Sequence, residues 1–228
     1  MAPAATPYKT ARLVSLFLSF AFGIVGLALG VDALVKGNED KSRVRSLVPP
    51  GTTVNIDTHD VVDAGGVVTG FCAALAVMSL LSLLLLLASA KRGPSLAART
   101  LPLQAILLTI LTLGLFASLV AFTDFVANRQ ATVVASIGGV AVPPSIVQSI
   151  ENAIGASPVY HVKSYLRLAV ILPWIAFLFG LTSSVLTLLA AARSRHASAA
   201  TQDTASDATG ADLSKEKKGN VNVGQEAV

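Results

Sequence analysis

The 228-residue chain is 53% hydrophobic and only 13% charged, with a net charge of +4. Soluble domains carry about 25% charged residues, so an ordinary water-soluble fold is excluded, and so small a positive charge calls for no nucleic-acid partner. The one cysteine, Cys72, excludes an intrachain disulfide and hence a disulfide-stapled extracellular domain.

The charge deficit is concentrated in four windows. Residues 13–31, 64–90, 100–123 and 168–192 contain no Asp, Glu, Lys or Arg. Crossing a hydrocarbon core about 30 Å thick takes roughly 20 helical residues. The run from Leu80 to Leu87 and that from Leu172 to Leu181 have no polar back, whereas a helix facing water needs one. The alternating strands of a membrane β-barrel are absent. The expected fold is therefore an all-α membrane protein, a four-helix transmembrane bundle with a small extracellular cap.

In chain order, residues 1–12 form a cytoplasmic arm with Lys9 and Arg12 and no acid. Span 1 covers about 13–34. Its basic start and the small residues Ala28-Leu29-Gly30 imitate a signal peptide, but the apolar run exceeds the roughly 7–15 residues of such a segment. That length favours an uncleaved span. The outer loop 35–63 begins polar, turns at Pro49-Pro50-Gly51 and then alternates in Thr52-Thr-Val-Asn-Ile-Asp57, which reads as a short strand.

Span 2 covers 64–90 and is followed by the inner loop 91–101. That loop holds Lys91, Arg92 and Arg99 with no acid. Span 3 covers 102–126. The outer loop 127–166 contains Ala131–Ile137, then Gly138-Gly139, then Val140–Val142. Two β-branched runs around Gly-Gly predict a hairpin. A short helix over 145–154 follows, with Ile146, Val147, Ile150 and Ile154 on one face and Gly155 as its stop. Span 4 covers 167–192, carries Pro173 one turn in, and ends at Arg193 and Arg195. The tail 193–228 has too little apolar surface to offset the entropy of ordering, so a disordered cytoplasmic tail is expected.

Basic residues are retained on the cytoplasmic side of a span. Ten of the 17 Lys and Arg fall on the side of the termini, densest at Lys91, Arg92, Arg99, Arg193 and Arg195. Both ends are therefore expected in the cytoplasm, with Lys36, Lys41, Arg43 and Arg45 as the contrary signal. Tyr160, Tyr165, Trp174, Phe122 and Phe125 gather near the predicted outer boundary, where amphipathic rings settle.

Small residues four apart let helix backbones approach closely. Gly26-x-x-x-Gly30 in span 1 and Gly66-x-x-x-Gly70 with Ala74 in span 2 suggest that these two spans meet. Gly114 and Ser118 in span 3, and Gly180 and Ser184 in span 4, extend the set. Asp32, Asp63 and Asp124 fall at outer span ends with Arg167 on the same side. They are ordinary boundary residues, ion pairs of the outer rim or a shallow ligand site.

No metal, cofactor or catalytic site is expected. His59, His161 and His196 stand apart from one another and from Cys72, and no nucleophile or phosphate-loop motif occurs. The span centres offer hydroxyls but no buried charge, which a transport path usually needs. The leading reading is a non-enzymatic scaffold or organiser in the plasma membrane or another secretory-pathway membrane. Its partners would be the lipid bilayer, other membrane proteins or itself. A subunit of an oligomeric channel or transporter, lined by the hydroxyl faces of spans 3 or 4, and an accessory subunit of a membrane sensor are the alternatives.

The layout of four spans, two outer loops and a polar tail resembles the MARVEL and claudin-like groups and the PalI-type surface tetraspanners of fungi. The likeness covers the layout of residues 10–195. The claudin tryptophan and cysteine pair in the first outer loop and the tetraspanin Cys-Cys-Gly motif are missing, so no family site carries over.

Overall fold

A computed structural model describes the backbone at residues 7–48, 51–92, 95–154 and 157–222, and side chains within 9–48, 51–88, 100–149 and 157–193. The elements are α1 (Pro7–Leu47), β1 (Thr52–Asp57), α2 (His59–Arg92), α3 (Ser95–Asn128), β2 (Thr132–Ile137), β3 (Val140–Ala141), α4 (Pro144–Ile154), a 3₁₀ turn (Tyr160–Val162) and α5 (Ser164–Asn222). Four of the helices are long and apolar enough to cross a membrane, over Lys9–Leu47, His59–Ala88, Thr100–Asn128 and Ser164–Arg193. They fit an integral membrane protein.

These four stand in a ring. Helix α1 packs on α2 and α5, and α3 packs on the same two, while the diagonals barely touch. The end where α1 passes to β1 and α3 passes to β2 is the cap end. The opposite end, with the N-terminus, is the tail end.

The buried positions explain the ring. On α1 they include Arg12, Leu16, Ser19, Gly23 and Gly26. On α2 they include Val68, Cys72, Leu75, Ser79 and Ser82, and on α3 Ala105, Leu108, Thr112, Leu115, Leu119, Phe122 and Val126. On α5, Ala169, Pro173, Ala176, Gly180, Ser183 and Thr187 continue the series. Each series alternates steps of three and four, the heptad spacing of helices that pack side by side along their length. The outward positions are large and aliphatic: Leu103, Ile110, Leu113 and Leu178 are each between 57% and 59% exposed.

The cap is a three-stranded antiparallel sheet in the order β1-β2-β3. The hairpin and the strand at Thr52–Asp57 form as the sequence predicts. The pairing of β1 with β2, Thr52 opposite Ile137 through Asp57 opposite Thr132, joins the two loops into one body. Gly138 and Gly139 both have positive φ, +57° and +84°, as a two-residue type I′ turn requires. Helix α4 packs on β2, and its Val147 is buried. The side chains of Ile150 and Ile154, and the expected stop at Gly155, lie outside the described residues.

Two boundaries differ from the sequence reading. The outer loop was expected to begin at 35, but α1 continues as helix to Leu47. Charges spaced four apart support it there, and the Lys36–Asp32 pair closes at 2.8 Å. At about 1.5 Å per residue α1 is some 60 Å long, about twice a hydrocarbon core. The tail, expected to be unstructured from 193, has a helical backbone to Asn222. Its repeated alanines have high helix propensity, which needs no burial and which an argument from apolar surface alone omits.

Candidate functional site

The glycine seam sits between α1 and α2, shifted from its predicted partners. A Cβ at Gly26 would stand 2.7 Å from Cys72 Sγ, and one at Gly23 3.0 Å from Ala76 Cβ. Gly30 faces Thr69. Each step forward along α1 meets a step back along α2, so the two helices run antiparallel at close approach. Gly66 and Gly70 were expected to supply the α2 side, but nothing lies within 4 Å of a Cβ at either. The α2 side is instead Thr69, Cys72 and Ala76, because the heptad phase turns the two glycines outward. Ala74 is only half-buried.

Gly114 and Gly180 do lie at helix contacts. Gly114 admits the ring of Phe71, and Gly180 admits Leu75 and Thr112. Gly65 similarly admits Phe122, and neither it nor Gly23 was singled out from the sequence. Ser118 spends its hydroxyl within α3, on the Leu115 carbonyl at 2.9 Å. Ser184 reaches across to α3, 2.6 Å from Thr109.

Toward the tail end the interior is hydroxylic. Ser15 meets Ser183 at 2.7 Å and Ser19 meets Ser79 at 2.9 Å. Thr112 and Thr187 turn back onto their own helices, on the carbonyls of Leu108 and Ser183. Arg12, expected in the cytoplasmic arm, is 6% exposed and donates to Gln104 at 3.2 Å. Arg12 Nε and Ser82 Oγ are buried with no hydrogen-bond partner among the described residues. The side chains of Lys91, Arg92, Arg99 and Arg195 lie outside the described residues, and Arg193 is exposed at the end of the described side chains.

At the cap end, the ion pairs form through other carboxylates than expected. Asp32 pairs with Lys36 on its own helix, Asp124 accepts from Asn128 at 2.7 Å, and Asp63 and Arg167 are exposed. The contacts that reach across from α1 use Asp40, which the extension of α1 carries beside the start of α5. Lys163 donates to Asp40 Oδ2 at 2.8 Å and Tyr165 donates to the same oxygen at 3.0 Å.

Asp60, at the start of α2, is the second hub. The Tyr160 hydroxyl donates to it at 3.2 Å, and Arg129 approaches at 3.7 Å while lying 4.0 Å over the Phe125 ring. Burial, reinforced by Asp60, pushes the Tyr160 phenol well above its ordinary value, so it stays protonated and donates. Trp174 donates to Thr123 at 3.2 Å and stacks edge-on with Phe116 and Phe177, joining α3 to α5.

Between these hubs lies a cavity of about 410 Å³. Its floor is apolar, with Gly26, Gly30, Phe122, Leu166 and Ala169. Its mouth carries Asp40, Lys41, Arg43, Lys163 and Tyr165. The β-sheet closes one side through Ile56 and Val133. No local sequence signal marks it, since its walls come from all four long helices and both loops. Among the described residues, no three of His, Cys, Asp and Glu gather as a metal site. No family model, curated protein or solved structure matches the chain.

Proposed function

We propose that this chain is a non-enzymatic, four-span organiser of membrane partners or lipids, working through its outward helix faces and its folded cap. Both termini face the cytoplasm, at the plasma membrane or another secretory-pathway membrane. The observation that carries this reading is the inverted polarity of the bundle. Ser19, Ser79, Ser82 and Ser183 are 0% exposed, while Leu113 is 58% exposed and Phe17 54%. Water would drive such a chain to turn inside out. Lipid tails exert no such force, and helices in lipid associate by close packing and hydroxyl pairs.

The same inversion favours an organiser over an oligomeric pore. The hydroxyls of Thr112, Ser183 and Ser184 turn into the chain's own interior, away from the surface at which copies would meet. Asp40 of α1 is tied to Lys163 and Tyr165, and Asp60 of α2 to Tyr160 of the 3₁₀ turn, which supports a fixed arrangement of the helix ends beside the cap.

The test is photo-crosslinking in intact membranes. A photoreactive residue at Leu113 or Leu178 is expected to capture the same protein partner repeatedly, whereas one at Ser79 captures only the chain itself. Capture of bulk lipid alone at every outward position, with no selection among lipid species, overturns the organiser reading. A steady current in bilayers reconstituted with the pure chain replaces it with a channel.

A further inference from the structure

The cavity at the cap end changes character along α1. From Gly26 to Leu34 its α1 wall is Gly, Gly, Ala and Leu, from Gly37 to Arg43 it is polar and charged, and Val44 and Leu47 line it beyond. The apolar stretch spans about 12 Å along the helix at 1.5 Å per residue, close to the roughly 15 Å of one leaflet's hydrocarbon. Its 410 Å³ lies within the ~300–1,000 Å³ of sites that hold small molecules, which are mostly apolar with a few placed polar groups.

Charge at the mouth selects the head. Three basic side chains, Lys41, Arg43 and Lys163, line the cavity against one carboxylate, Asp40. Asp40 already accepts from Lys163 and Tyr165. Lys41 and Arg43 have no carboxylate within ion-pair distance among the described residues.

The geometry points to a site for one anionic membrane lipid, its acyl chain lying along Gly26, Gly30 and Phe122 and its phosphate between Lys41 and Arg43. A free phosphate would leave the apolar floor empty, and a zwitterionic head would set its own cation among three others. The inference rests on the proposed membrane setting, and its test separates the two.

The full chain is purified in mild detergent and offered phosphatidylserine or phosphatidylcholine, each with a photoreactive group at the acyl terminus. Phosphatidylserine is expected to label peptides containing Gly26–Gly30 or Phe122 at one lipid per chain, with phosphatidylcholine far weaker. Lys41→Gln with Arg43→Gln is expected to weaken phosphatidylserine retention roughly thirtyfold, the effect of losing two partly exposed charge contacts of about 1 kcal/mol each. Both residues are exposed or half-exposed, so the variant leaves the fold intact. Ala33→Phe, which fills the apolar part, is expected to abolish labelling while thermal unfolding stays sharp.

Equal labelling by the two lipids, retention unchanged in the double variant, or displacement by glycerophosphate as readily as by the whole lipid each overturns the site. So does labelling confined to the outward helix faces. If the chain leaves the membrane in carbonate, the membrane setting itself fails. If it stays while lipid selection fails, only the site is lost.

Discussion

At the tail end of the bundle, Ser15 and Ser183 stand 2.7 Å apart and the helices meet through hydroxyls. At the cap end the same ring of helices encloses a cavity of about 410 Å³, and its rim is held by Asp40 with Lys163 and Tyr165. One end spends its polar groups on closing the interior, the other on its edge. Hydroxyl pairs are short and need closely spaced backbones. Longer side chains span a wider gap, so α1 and α5, joined through Asp40 with Tyr165 and the neighbouring Lys163, can stand apart and leave room between them. The interior is therefore open at the cap end and closed at the tail end, where the space of similar size between Thr10–Leu18 and Phe179–Leu186 is a shallow outer groove.

The largest way to break this contrast is to crowd the seam that links the two ends. Gly26→Leu adds a side chain where even a Cβ would stand 2.7 Å from Cys72 Sγ. Overpacking of this kind costs about 3 kcal/mol. Gly70→Leu, with nothing within 4 Å, is expected to cost nothing measurable. Thermal unfolding in detergent checks both, and equal losses would refute the seam's placement.

Next in size is the rim. Asp40→Asn removes the charge that joins α1 to the start of α5. The Lys163–Asp40 pair is 30% and 41% exposed, so solvent screening limits the loss to about 1 kcal/mol. The loss is expected to be local. Hydrogen exchange should quicken at Val35–Leu47 and at Lys163–Leu166, while α2 and α3 keep their protection. A uniform loss of protection would mean that the rim and the bundle are one cooperative unit.

How far the sequence foretold these regions follows from which interactions are local. The four windows, the Gly138-Gly139 hairpin and the α4 helix all have signals within a few residues, and all form. The extension of α1 had one too. Asp32, Lys36 and Asp40 recur every fourth residue, as do Glu39 and Arg43, which is the spacing of helical charge pairs. The polar composition of the loop masked that spacing.

The heptad seam was also written in the chain, but in the small and hydroxylic residues rather than the apolar ones. Ser19, Gly23, Gly26 and Gly30 step by four, three and four. In a span that is apolar on every side, hydropathy marks no face, so the usual period carries no information there. The β1–β2 pairing and the cavity had no such signal. They depend on residues some 80 positions apart, such as Thr53 and Ser136 at 2.6 Å.

The smallest effects sharpen the tail end most. Double-mutant cycles between membrane helices give about 0.6 kcal/mol for an interhelical hydrogen bond. Ser79→Ala is therefore expected to cost about that much, with its effect vanishing in a Ser19→Ala background. Ser82 is equally buried but its hydroxyl is unpaired, and an unmade bond is a cost already present in the folded chain. Ser82→Ala should therefore be neutral or raise the unfolding temperature. The two serines are one turn apart on the same face of α2, so the opposite signs would isolate the partner as the cause. If both variants destabilise alike, the hydroxyl pairs are incidental to close packing, and the contrast between the two ends rests on shape alone.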